Sequence, residues 1–109
     1  MADDENKIYE IIETARATGK IKKGVNEATK CVEKGTAKLV VVASDVSPKE
    51  VIMHISPLAK EKGIVYAEVS SKEELGAAAG LTVPTAAIAV IKEGDAAAAI
   101  KSLTKTEKE

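Results

Sequence analysis

Ile8, Ile11, Ile12 and Ala15 recur at i, i+3, i+4 and i+7, the apolar stripe of an amphipathic helix, and Gly19 stands where that helix would end. A short stretch from Lys20 to Lys23 follows, and Gly24 opens a second helical pattern with Val25, Ala28 and Val32 on one side, stopping at Gly35. Lys38 to Ala43 is a continuous apolar, β-branched run, which predicts a strand covered on both faces of a parallel or mixed sheet. Ser47 and Glu50 have capping-box spacing with Pro48 at the first helical position, so a helix starts there; Pro57 should break or kink it, and Gly63 closes it. A second strand is expected from Ile64 to Val69. Ser71 and Glu74 repeat the capping box before a helix through Leu75 to Ala79, stopped by Gly80. An irregular stretch, Gly80 to Thr85, leads into a third strand, Ala86 to Ile91; a turn, Lys92 to Asp95, then precedes a last helix ending near Leu103 and a frayed tail. Strands alternating with helices imply βαβ units, hence an α/β fold: a three-layer α/β/α sandwich with a small mixed sheet.

At 109 residues the chain is expected to form one domain, 1–109, with a core of about 7–103, large enough to fold without staples. No run approaches the roughly 18 uninterrupted apolar residues of a membrane span. The amino terminus is acidic where a signal peptide would be basic, so the expectation is a soluble, cytoplasmic protein without a membrane partner. One cysteine, Cys31, and one histidine, His54, exclude an internal disulfide and the usual zinc-ligand sets, and no metal or nucleotide cofactor is expected. Tyr9 and Tyr66 are the sole aromatic residues, which removes base stacking on an aromatic platform. The net charge of -1 conceals an uneven distribution: five acids and one lysine lie between Asp3 and Glu13, but six lysines and two glutamates between Lys20 and Lys38. Such a local basic segment suits an electrostatic footprint for nucleic acid, although a solvated surface has the same composition.

Enzyme chemistry finds little support. His54 has no nucleophile in an identifiable motif, and Cys31, beside the stripe of the second helix, reads as a small core residue. Gly76 to Gly80 has small-residue spacing without the lysine and hydroxyl of a phosphate loop, so close helix packing and a helix stop account for it. Asp45, just past a strand end, lacks the acidic pair and strand-end lysine that a phosphoacceptor needs; it reads as a turn residue. The second helix differs. Glu27, Lys30 and Lys34 share one face with Asn26 alongside, opposite Val25, Ala28 and Val32. Asn and Lys can address acceptor edges of bases, and Glu can accept from base amino groups. Lys22, Lys23 and Gly24 before that helix offer lysines and free N–H groups, a ready phosphate site. An ordinary solvated helix face would have the same spacing.

The run Lys22 to Lys30 (Lys-Lys-Gly-Val-Asn-Glu-Ala-Thr-Lys) resembles the RNA-binding signature of the archaeal ribosomal L7Ae family, the kink-turn binders. The resemblance continues through Val41 to Pro48, Glu61 to Ile64, Lys72 to Gly80 and Val83-Pro84, about residues 7–103 in the family's order. It implies a three-layer α/β/α sandwich that binds kink-turns and kink-loops, without being an enzyme. In archaea such a protein serves the large ribosomal subunit, box C/D and H/ACA guide ribonucleoproteins and ribonuclease P, beside their core proteins, and is a monomer when free. The resemblance further implies that Asn26 and Lys30 approach guanine edges, that Glu27 accepts from a base amino group, and that Lys22, Lys23 and Gly24 hold phosphates. On the opposite side of the bend, Leu81, Thr82, Val83 and Pro84 would cover an extruded base, with Thr82 departing from a position that is often charged. Read alone, Leu81 and Val83 are strand-entry core residues. The competing class is a relative of the same fold acting through protein contacts, or an L30e-like protein with a single ribosomal RNA site; loss of RNA binding would accompany a missing Asn-Glu pair, and Asn26-Glu27 is present.

Overall fold

The computed structural model describes residues 2–45, 50–92 and 94–100. The first apolar stripe is α1 (Ala2–Thr18), with Ile8, Ile11, Ile12 and Ala15 buried and the Gly19 N–H donated to the Ala15 carbonyl at 2.7 Å. β1 (Lys20–Lys23) leads into α2 (Val25–Lys34), which buries Ala28, Cys31 and Val32 and ends at a left-handed Gly35. β2 (Leu39–Ala43) is buried along its whole length, as a strand covered on both faces must be. Next come α3 (Glu50–Met53), α4 (Ile55–Lys62) and β3 (Val65–Val69). α5 (Lys72–Ala78) starts where the Ser71 hydroxyl accepts the Glu74 N–H at 3.2 Å, the expected cap. β4 (Ala87–Lys92) is followed by a tight turn, Gly94–Ala96, and a helical segment over 97–100.

The sheet order is β1-β4-β2-β3. β2 and β3 are parallel, whereas β4 lies antiparallel to both β1 and β2, so the sheet is mixed. α1 packs with α5 and α2 with α4, and both pairs pack on the sheet. Ile12, Leu39, Val40, Ile55, Leu75 and Ile88 are among the side chains this sandwich excludes from water. Among the described residues no helix is long and apolar enough to cross a membrane.

Three differences from the sequence reading have physical causes. Lys20 to Lys23 is a strand rather than a connection, because Ile21 pairs opposite Val90 and Lys23 opposite Ile88; the ladder to β4 holds an edge whose lysines suit an exposed position. A continuing βαβ series does not form: the β2–β3 crossover is its one parallel unit among the described strands, and β4 enters the sheet's middle from the other direction. The proline interruption appears one turn upstream of Pro57, since the N–H that Pro57 lacks is the one the Met53 carbonyl would have accepted; α3 ends at Met53, and Pro57 falls in the first turn of α4, where a missing N–H costs nothing. The helix start at Ser47-Pro48 and the end near Leu103 lie outside the described residues.

Candidate nucleic-acid interface

The antiparallel β1–β4 ladder carries the chain to Gly24, whose N–H is donated to the Ala87 carbonyl at 2.9 Å. There the backbone turns at φ 101°, ψ 153°, a conformation that L side chains rarely adopt; no atom lies near a would-be Cβ, so dihedral strain rather than crowding selects glycine. No side chain caps α2 at Gly24, which leaves its first-turn N–H groups facing outward at the positive end of the helix dipole. Asn26, Glu27 and Lys30 are exposed on α2, Lys23 is exposed before it, and Lys22 and Gly24 are half-buried. Val25 is half-buried against the core on the other side.

The loop entering β4 reaches the same end of the sheet, where Ala87 accepts from both segments. Leu81 is half-buried against the core, but Thr82, Val83 and Pro84 are exposed, Val83 by 60%. The strand-entry core reading therefore holds for Leu81 and fails for Val83. The loop backbone lies directly on α5: a Cβ at Gly76 would collide with the Val83 carbonyl oxygen and would sit 3.1 Å from Pro84 Cα. The close packing expected of the Gly76 to Gly80 run is thus of loop against helix. The loop ends at Thr85, whose N–H is donated to the Lys72 carbonyl at 3.2 Å and whose hydroxyl is donated to the Ala87 carbonyl at 3.2 Å. Ala87 consequently joins the loop to the α2 start.

Other residues singled out by sequence have structural places. The Asp45 carboxylate accepts the Lys72 N–H at 3.0 Å, so Asp45 is a turn residue that also fastens the β2 exit to α5. Cys31 is buried on α2. His54 is exposed at the α3–α4 interruption, where its Nε2 lies 2.8 Å from the Thr29 hydroxyl. Val25, Asn26, Thr29, Lys30 and His54 line a cleft of about 480 Å³ on the α2 face. Sequence reasoning missed the contributions of Thr29, Lys72 and Thr85. Nothing in local spacing signals them, because each acts through a partner distant in the chain or through the backbone. Among the described residues no three His, Cys, Asp or Glu side chains converge as a metal site.

The molecule is a small α/β/α sandwich with a polar helix start and an exposed apolar loop at one end of its sheet. The ribosomal protein L7Ae/L30e/S12e/Gadd45 family matches residues 6–100, and the chain belongs to that family. The large ribosomal subunit protein eL8 of Haloquadratum walsbyi is 51% identical over 104 residues, covering 95% of this chain and 84% of that protein. A solved structure of the Giardia lamblia 15.5kD RNA binding protein superimposes with a TM-score of 0.87 at 29% identity, covering 93% of this chain and 84% of the other. The chain is thus a member of a ribosomal-protein family, and the relatives it matches are a ribosomal protein and an RNA-binding protein, not enzymes.

Proposed function

We propose that the protein recognises and stabilises kink-turn and kink-loop RNA, as a single RNA-binding domain of the large ribosomal subunit and of box C/D and H/ACA guide ribonucleoproteins and ribonuclease P. The observation that carries this reading is the meeting, at Ala87, of the uncapped α2 start and the loop presenting Val83. A kink-turn bends a duplex at a three-nucleotide bulge beside tandem sheared G·A pairs. The major groove of A-form RNA is too narrow for side chains to read, and a sharp bend opens it locally. α2 then enters, with Asn26 and Lys30 on guanine edges, Glu27 accepting from a base amino group, and Lys22, Lys23 and Gly24 on phosphates. Leu81, Thr82, Val83 and Pro84 cover the base extruded from the bulge. The protein needs no metal or nucleotide cofactor, works in the cytoplasm beside ribonucleoprotein core proteins, and is monomeric when free. It performs no reaction; by binding the bent RNA it shifts the RNA's equilibrium from the extended form.

A gel-shift comparison of a kink-turn hairpin with a plain duplex of equal length tests the reading, and equal affinity would sink it. Sequencing RNA that co-purifies with the native protein separates its range: guide RNAs and ribonuclease P RNA beside ribosomal RNA support the shared role, whereas ribosomal RNA alone restricts it to the ribosome.

A further inference from the structure

Thr85 is the one buried polar side chain among the described residues, 8% exposed. It stands in the middle of a hydrogen-bonded path that no single segment of sequence contains. Asp45 Oδ1 accepts the Lys72 N–H, the Lys72 carbonyl accepts the Thr85 N–H, and the Thr85 hydroxyl donates to the Ala87 carbonyl, which also accepts the Gly24 N–H. The path runs from the β2 exit, across the start of α5 and the end of the apolar loop, to the residue that opens α2. Pressed on Gly76 from below, the loop is fixed by packing in one direction and by these bonds along the edge.

We infer that Thr85, with Asp45, is a positioning residue that holds the Leu81 to Thr85 loop and the start of α2 as one unit, so that the base-covering and base-reading parts of the interface meet RNA in a fixed relation. This rests on the kink-turn reading. Thr85 touches no RNA in this scheme and acts through Val83, Pro84 and Gly24. Holding the loop in its bound form before RNA arrives removes an ordering cost from binding, which is where its effect on affinity originates. Burial of a hydroxyl in an otherwise apolar interior is compatible with folding because the hydroxyl has its acceptor.

The test uses the full chain with Thr85→Val, Thr85→Ser, Asp45→Ala, Val83→Ser and the Thr85→Val/Val83→Ser double variant. Thr85→Val removes the hydroxyl at nearly constant shape and leaves the Ala87 carbonyl its bond from Gly24, so the fold persists. Kink-turn affinity of Thr85→Val falls about three- to tenfold, Thr85→Ser restores it, and preference for G·A pairs is unchanged. Because the hydroxyl works through the loop, the double variant binds little more weakly than Val83→Ser alone. Without RNA, amide exchange at position 85 quickens in Thr85→Val while the β2 amides stay protected, and Asp45→Ala, which removes the acceptor of the Lys72 N–H, quickens exchange at position 72. Unchanged affinity in Thr85→Val, fully multiplicative losses in the double variant, or unchanged exchange at position 85 each overturn the inference. If the wild type itself fails to prefer the kink-turn over duplex, the functional reading falls, while the exchange measurement still decides whether Thr85 holds the loop.

Discussion

Asn26 and Lys23 lie three positions apart on either side of Gly24, yet the chemistry of their side chains assigns them different work. A side-chain amide presents a donor and an acceptor in fixed geometry, so its bond to a base edge depends on which base is there; a lysine ammonium is a point charge that any phosphate satisfies. Asn26→Ala is expected to cost roughly 1–3 kcal/mol of binding and to erase the preference for G·A pairs, whereas Lys23→Ala weakens binding to all sequences and lowers the salt slope by about one ion. Titrations on intact RNA and on RNA with its G·A pairs replaced decide the assignment, which fails if Asn26→Ala leaves the preference unaltered. Gly24 is set apart by dihedral angle. With φ 101° and free space around a Cβ, Gly24→Ala should lose about 1–2 kcal/mol of folding stability in denaturant titration without a steric clash, through strain at the entry to α2. No change in midpoint would mean that the helix start rearranges freely.

The elements divide into those that announce themselves locally and those that the rest of the molecule creates. α1, α2 and β2 were legible because each carries a periodic apolar pattern over several residues with a glycine or cap at its end, and local pattern is what chain-level reading measures. β1 was not: three of its four residues are lysines, and its strand character comes from pairing with β4, which is distant in sequence. The polar half of the proposed interface was open to reading for the same local reason, since Asn26, Glu27 and Lys30 share one helical face. The apolar half was ambiguous, because an exposed Val83 and a core Val83 have the same sequence; burial decides, and burial is a property of the assembled fold. Gly76 shows how α5 sets that exposure. Gly76→Ala would drive a methyl into the Val83 carbonyl, so the loop must lift from α5 or the helix must shift. Such overpacking costs about 1–3 kcal/mol, and the variant should lose that much in chemical denaturation while amide exchange in the loop accelerates. Full wild-type stability would show that the loop rests on α5 more loosely than its geometry indicates.

At the scale of the whole molecule, a protein with net charge -1 and a sequence pI near 5.9 must attract RNA with a local field and not a global one. The lysines are concentrated from Lys20 to Lys38, while acids predominate from Asp3 to Glu13. In the proposed complex the lysines at the α2 start are the ones that release counterions on binding. For a duplex the dependence of log affinity on log salt has a slope of about -0.9 per phosphate neutralised. Lys22 and Lys23 as the phosphate ligands give a slope near -2, with Lys30 adding no more than about one further ion if it too sits by the backbone. Base-edge hydrogen bonds and burial of an extruded base are nearly independent of salt, so specific binding should persist where non-specific binding has vanished. Titrating a kink-turn and a plain duplex across a series of potassium chloride concentrations should show a shallow decline for the first, with its affinity well above that of the duplex throughout, so that duplex binding drops below detection first. A ratio of affinities near one at every salt concentration would mean that charge alone drives association and that the α2 start and the Val83 loop add no selectivity.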